Sequence, residues 1–194
     1  MSLTLRSKRL KLAPYDIADS DIAIELFTDP RVLRHAGRVM EVQDILDNMH
    51  VRTRRGGNGC IGVWCISVAA TGEKLGTVAL LPMPIEDNET DWDLVVPGEM
   101  PDADIEIGYF IKASAWGNGY ATEACQRLLR FAFEESPLRE VVATFDDDNR
   151  ASRSVLIKAG FVDRGRRRCY GTEGTDFRIT RDQWLRLRDS TLPL

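Results

Sequence analysis

IEIGYFI at 105–111, KASA at 112–115, WGNGYA at 116–121 and TEACQRLLRFAF at 122–133 form the stretch whose reading decides the fold. The first piece is a short apolar, β-rich run and predicts a strand; the paired glycines predict a turn, and the last piece a helix. From Gly119 to Glu135, Ala121, Ala124, Cys125, Leu128, Phe131 and Ala132 share one helical face, with Glu123, Gln126, Arg127, Arg130 and Glu134 on the other. Gly117 and Gly119 remove side chains where the chain enters this helix. Backbone N–H groups are thereby left free to face an anion at the positive end of the helix dipole, which predicts a pyrophosphate seat.

Spacing separates the phosphate-binding readings. A P-loop ends in Gly-Lys-Ser/Thr, whereas Gly119 is followed by Tyr120 and Ala121. A dinucleotide fingerprint counted from Gly117 would need a third glycine where Thr122 stands. Neither pattern fits.

Outward from this stretch, Leu3 to Leu12 predicts a first strand ending at Pro14, and a helical pattern from Asp16 runs through Ile22, Ile24, Leu26 and Phe27. Val42 to Val51 repeats at helical spacing before Gly56 and Gly57. Ile61–Ala69 and Leu75–Leu81 predict an antiparallel hairpin. Residues 82–104 are polar, acidic and long for a connection, which predicts an inserted, partly mobile loop. Downstream come a strand at Glu140–Phe145, a short helix at Asn149–Ala159 closed by Gly160, a hairpin of Arg167–Tyr170 with Phe177–Thr180, and a helix at Arg181–Arg188. No repeat or linker divides the 194 residues, so one α/β domain spanning 1–194 is expected.

Composition narrows the class. Hydrophobic residues at 43% and charged residues at 29% are ordinary for a globular domain with a core. A net charge of −4 argues against a nucleic-acid binder and suits a cationic partner. No apolar run reaches the ~20 residues of a membrane span, and MSLTLRSKRL lacks the pattern of a signal peptide, so a cytoplasmic protein without membrane partners is expected. Cys60, Cys65, Cys125 and Cys169 lack a CxxC pair and only His35 and His50 accompany them, so free, mostly buried thiols and no metal site are expected.

The W-G-x-G-Y-A-T-E-A run after an I-G-Y strand resembles the coenzyme-A loop of the GNAT superfamily of N-acetyltransferases. Downstream, Asn149-Arg-Ala-Ser152 and Lys158-Ala-Gly160-Phe161 resemble its second motif, N-x-x-S followed by K-x-G-F. Arg9-Leu10-Lys11-Leu12 is similar to the R-L-x-L opening of the ribosomal-protein alanine N-acetyltransferase branch, the RimJ/RimL-like proteins. Trp116 stands where the superfamily usually has Gln or Arg, and Ile157 where the branch often has Glu. The similarity is densest over 105–161. It implies an α/β (α+β) GNAT fold: a mixed, mostly antiparallel sheet of about six to seven strands, with helices on both faces.

The resemblance also implies function. Acetyl-coenzyme A would be the co-substrate, and the acceptor a primary amine on a protein or peptide N-terminus. A small cationic amine such as an aminoglycoside or polyamine is the alternative, and a non-catalytic acyl-coenzyme A sensor a further one; a homodimer is a candidate assembly. The backbone of Trp116, Gly117, Asn118, Gly119, Tyr120 and Ala121 would hold the pyrophosphate, and Tyr109, Phe110 and Ile111 would pair with the pantetheine arm. Ser152, with Tyr109 second, would protonate the departing thiolate, while Asn149 would cap its helix or touch the cofactor.

An acceptor amine of lysine type, with a pKa near ~10.4, must lose a proton before attacking a thioester. Glu106, on the strand expected beside the thioester, is the first candidate base, with Asp104 as fallback. The acids of 82–104 could draw in a cation. Arg164 and Arg166–Arg168 read as a solvated basic run that could reach a cofactor phosphate.

Overall fold

The structure is a computed structural model that describes residues 2–191. Eight strands form one sheet: β1 (Leu5–Arg6), β2 (Leu10–Pro14), β3 (Gly62–Val68), β4 (Lys74–Pro82), β5 (Ile105–Ile111), β6 (Glu140–Ala143), β7 (Val162–Cys169) and β8 (Thr172–Thr180). The helices are α1 (Ser20–Phe27), α2 (Val42–Asp47), α3 (Met49–Arg52), α4 (Tyr120–Glu134), α5 (Arg150–Ala159) and α6 (Arg181–Thr191). The strand order is β1-β2-β3-β4-β5-β6-β8-β7, with every neighbouring pair antiparallel except β5 and β6. That parallel step needs a crossover, which α4 supplies.

The sheet is wider than the expected six to seven strands because the first predicted strand is a hairpin. The chain reverses at Ser7, whose N–H donates to the Leu10 carbonyl at 3.0 Å, so Leu5 pairs with Leu12. The predicted second helix is likewise two pieces, α2 and α3, divided at Asn48. The strand expected over Glu140–Phe145 stops at Ala143, because the Thr144 and Phe145 N–H groups turn to side chains, Glu106 and Thr175, in place of a ladder.

Period-two alternation puts a core on each face. Leu10, Leu12, Trp64, Ile66, Val78, Leu80, Ile105 and Ile107 pack against Leu128, Phe131 and Ala132 of α4. Val63, Cys65 and Ala79 pack on the other face against Ile22, Leu26 and Phe27 of α1, with Ile45 and Met49. A sheet covered on both sides explains why residues 62–66 of β3 are buried without interruption. All four cysteines are buried and free.

Residues 82–104 are tied down at several points. Met83 and Val95 are buried, the Pro84 and Ile85 carbonyls accept the Tyr170 and Gly171 N–H groups, and a short 3₁₀ turn forms at Trp92–Leu94.

Candidate active site

Strand β5 organises the site because its two edges are treated differently. Toward β4 it pairs along its whole length, from Ile105↔Pro82 to Ile111↔Gly76. Toward β6 it pairs only at Glu106↔Val142. Beyond that point the two parallel strands separate, and a hollow of about 810 Å³ lies there, bounded by residues 106–110 of β5, Thr144–Asn149, Ser152 and Tyr170. Glu106, Gly108 and Phe110 share the opposite parity from Ile107 and Tyr109, and they help line a second hollow, of about 720 Å³, on the α1–α3 side. Glu106, Gly108, Phe110 and Tyr170 belong to both. Each hollow is of the size that takes a small organic ligand.

Glu106 stands at this junction, 9% exposed. Its Oε1 accepts the Thr144 N–H at 3.2 Å and its Oε2 accepts the Tyr170 hydroxyl at 2.5 Å. Burial pushes its carboxyl pKa up to about 7, against the lowering pull of the Tyr170 and Thr144 hydrogen bonds and of the Arg167 charge. A carboxylate that titrates near neutrality is suited to taking and releasing a proton at physiological pH.

Tyr170 is missing from the residues the sequence singled out. The expected hairpin put it inside a strand, whereas Tyr170-Gly171 is the two-residue turn between Cys169 and Thr172. Both turn residues have positive φ, 50° and 69°, the conformation a tight hairpin demands and that a tyrosine adopts at a cost. The segment after β4 fixes this turn through the Pro84 and Ile85 carbonyls. Gly171 next to a bulky residue was the available signal, and its target, 64 positions away, was not.

Tyr109 and Ser152, each singled out as a candidate proton donor, lie side by side. The Tyr109 hydroxyl lies 2.8 Å from Ser152 Oγ and 3.2 Å from the Ser152 carbonyl, and burial raises its pKa well above the usual phenol value. Asn149 caps α5, its Oδ1 accepting the Ser152 N–H at 3.0 Å. Gly160, at φ 98°, ends the same helix in the left-handed conformation.

At the far end of β5, Gly117 and Gly119 take φ values of 77° and 76°. A Cβ on Gly117 would meet nothing within 4 Å, so the glycine serves the backbone angle and leaves open space above it. Gly119 is the N-cap of α4, and no side chain caps the first turn. Its N–H groups face outward at the positive end of a helix of 15 residues. These features fit a pyrophosphate. The side chains of the turn are spent internally: Asn118 Nδ2 donates to the Ala115 and Trp116 carbonyls at 3.2 and 3.1 Å, and the Trp116 indole donates to the Ile111 carbonyl at 2.7 Å. Ile111 therefore has its carbonyl occupied, and Phe110, opposite Thr77, turns its backbone to β4, which leaves Tyr109 as the freer backbone on the open edge.

Arg9 braces the turn from outside. Its guanidinium donates to the Asn118 carbonyl at 3.0 Å, pairs with Glu123 at 2.6 Å and stacks on Tyr120 at 4.7 Å. Three arginines of the basic run on β7 are committed to carboxylates: Arg166 to Asp147 at 2.7 Å, Arg167 to Asp104 at 2.6 Å and Arg168 to Glu86 at 2.7 Å. Asp104 and Glu86 are correspondingly neutralised, which removes two acids from any cation-attracting field and ties Asp104 to a guanidinium.

Several known proteins share this architecture. The chain is 28% identical over 199 residues to FsC-acetyl coenzyme A-N(2)-transacetylase of Aspergillus fumigatus, covering 97% of this chain and 81% of that protein. Among solved structures, aminoglycoside acetyltransferase AAC(6')-Ib in complex with coenzyme A aligns with a TM-score of 0.71 at 17% identity, over 92% of this chain and 99% of that one. RimL, the ribosomal L7/L12 alpha-N-protein acetyltransferase, also in complex with coenzyme A, aligns with a TM-score of 0.65 at 16% identity, over 90% and 95%. Residues 9–162 match the acetyltransferase (GNAT) domain, so the chain belongs to the GNAT family of acetyl-coenzyme A-dependent N-acetyltransferases.

Proposed function

We propose that the protein transfers the acetyl group of acetyl-coenzyme A to a primary α-amine at the end of a peptide, with Glu106 as the base. The observation that carries this reading is the position of Glu106 where the two hollows meet, with a carboxyl raised to about 7. One hollow opens where β5 and β6 separate and leads toward α5 and Ser152. It suits the pantetheine arm, which can lie along the unpaired edge at Tyr109 as an added strand would. The Trp116–Ala121 turn supplies backbone donors for the pyrophosphate.

The second hollow receives the acceptor. Bound acetyl-coenzyme A supplies the activated acetyl as a thioester. Glu106 takes the proton from the acceptor ammonium, either directly or through one water, and Tyr170 holds the carboxylate in place by donating to Oε2. The Ser152 and Tyr109 hydroxyls, hydrogen-bonded to each other, can donate toward a developing thiolate. The raised pKa of Tyr109 keeps its proton in place, so it acts as a hydrogen-bond donor at neutral pH.

A peptide acceptor follows the similarity of the sequence opening to the ribosomal-protein branch. A small amine is the second reading, favoured by the bounded 720 Å³ of the acceptor hollow. Thiol release from acetyl-coenzyme A, measured with short peptides, polyamines and aminoglycosides, tests both. Peptides should be acetylated at the α-amine with the highest kcat/KM. A clear preference for polyamines or aminoglycosides would replace this reading with the second, and no thiol release with any acceptor would mean binding without transfer.

A further inference from the structure

The acceptor hollow, which Glu41, Asp44 and Glu89 also line, holds a cation that makes no ion pair among the described residues. Arg52 closes α3 with its guanidinium over the Phe27 ring at 4.7 Å and its Nη2 3.7 Å from the Met40 Sδ. Phe27, Met40 and Arg52 all line the hollow that contains Glu106. A thioether is a weak acceptor, and a guanidinium carries five N–H donors. Burial among these apolar groups works against its charge, yet arginine stays protonated at neutral pH.

Other shielded arginines find oxygen. Arg55 donates to the Gly59 and Val63 carbonyls at 2.7 Å, Arg127 to the Arg6 carbonyl at 2.9 Å, and Arg167 to Asp104 at 2.6 Å. Glu89 is near enough for its field to act on Arg52, but it forms no ion pair with it among the described residues. Arg52 is half-buried, and aromatic and thioether packing holds its guanidinium at the wall of the hollow with no oxygen partner among the described residues.

We propose that Arg52 receives a carboxylate of the acceptor, so that the amine acetylated belongs to a molecule that also carries a carboxylate. The carboxylate could be the α-carboxylate of a free amino acid or the side chain of an acidic first residue of a peptide. The proposal rests on the reading of this hollow as the acceptor pocket. The walls contributed by Tyr15, Phe27, Trp92 and Phe110 suit an apolar or aromatic body between the two ends.

The test uses matched pairs that differ by one carboxylate. Calorimetry in the presence of coenzyme A, with N-acetylphenylalanine and N-acetylphenethylamine as probes, reads the site without requiring turnover. The parent should bind the carboxylate probe about tenfold or more tighter, as expected of a charge-assisted bidentate contact. Arg52→Met, which keeps the packing on Phe27, and Arg52→Gln should abolish the preference, and Arg52→Lys should keep part of it. Equal binding of both probes by the parent, or an undiminished preference in folded Arg52→Met, overturns the proposal.

Turnover of phenylalanine against phenethylamine, and of Asp-Phe-amide against Ala-Phe-amide, then tells the two carboxylate sources apart. In either pair the kcat/KM ratio should fall toward one in Arg52→Met, through KM more than kcat. If no amine is acetylated while the carboxylate preference in binding persists, the transfer reading fails and the assignment of Arg52 stands.

Discussion

The two ends of β5 are built on different principles. At the Ile111 end, the Trp116–Ala121 turn is made of consecutive residues, its donors are backbone N–H groups, and the glycine angles near 77° set its shape. At the Glu106 end, the same strand contributes a single carboxylate, whose setting comes from the end of β6 and from a hairpin turn held by the segment after β4. A seat for a large anion can be written locally, because helix and turn geometry already point several donors one way. A group that titrates near pH 7 cannot be, because burial by distant chain segments sets its pKa.

Glu106→Gln is the largest expected break in this contrast. It should lower kcat at pH 7 by about 10²-fold or more and restore part of the rate at higher pH, where more acceptor is already deprotonated. In the parent, kcat/KM should rise through about pH 7 as Glu106 loses its proton. A variant with nearly parental turnover and an unchanged acidic limb would make Glu106 structural and leave proton removal to a water chain.

Gly117→Asp strikes the other end. Aspartate is more often found at a positive φ than most residues and its Cβ would meet nothing within 4 Å, so the fold should hold at a local cost in strain while the added charge repels phosphate. Affinity for acetyl-coenzyme A, expected to be micromolar in the parent, should fall by roughly ten- to a hundredfold in calorimetry. Gly119→Pro is a harsher probe, since proline cannot reach the φ of 76° found there. Unchanged affinity in folded Gly117→Asp removes the pyrophosphate from this turn.

Ser152→Ala should cost turnover about tenfold and affinity little, less than a lone general acid would, because the Tyr109 hydroxyl remains. A change within a factor of two where chemistry limits the rate would assign Ser152 to the start of α5.

Tyr170→Phe sharpens the contrast with a smaller effect. Losing the donor on Oε2 should raise the Glu106 pKa further, so the acidic limb moves to higher pH and the rate at pH 7 falls severalfold, with recovery in the alkaline range. An unmoved limb would detach Tyr170 from the titration.

The smallest effect is thermodynamic. Glu106 binds its proton more tightly folded than unfolded, so its contribution to stability is full below the ordinary carboxylate range and is lost as pH rises through about 7. The melting temperature of the parent should therefore drop between pH 5 and 8 more steeply than that of Glu106→Gln. Parallel curves would mean that the carboxyl is not shifted.

Legibility followed sequence distance. β5 and α4 were read to within a residue, because their periodicities and the glycines between them lie within 30 positions. The N-terminal hairpin was read as a single strand because Ser7-Lys8-Arg9 carries no glycine or proline to mark the reversal. Candidate site residues within motifs, Asn149 and Ser152 among them, stand where the capping and hydroxyl contacts place them. Arg9 was noticed only as part of an opening motif, and its grip on the Asn118 carbonyl spans 109 positions.

By itself the sequence determined the strand-turn-helix unit and the order of most elements, since each depends on contacts between near neighbours. Tertiary structure alone decided that β5 and β6 part after one pair, that Tyr170 reaches Glu106, that Asp104 is spent on Arg167, and that Arg52 packs on Phe27 and Met40 with no ion pair among the described residues. These are outcomes of burial and of which charges find partners, and both are fixed only when segments dozens of residues apart are packed together.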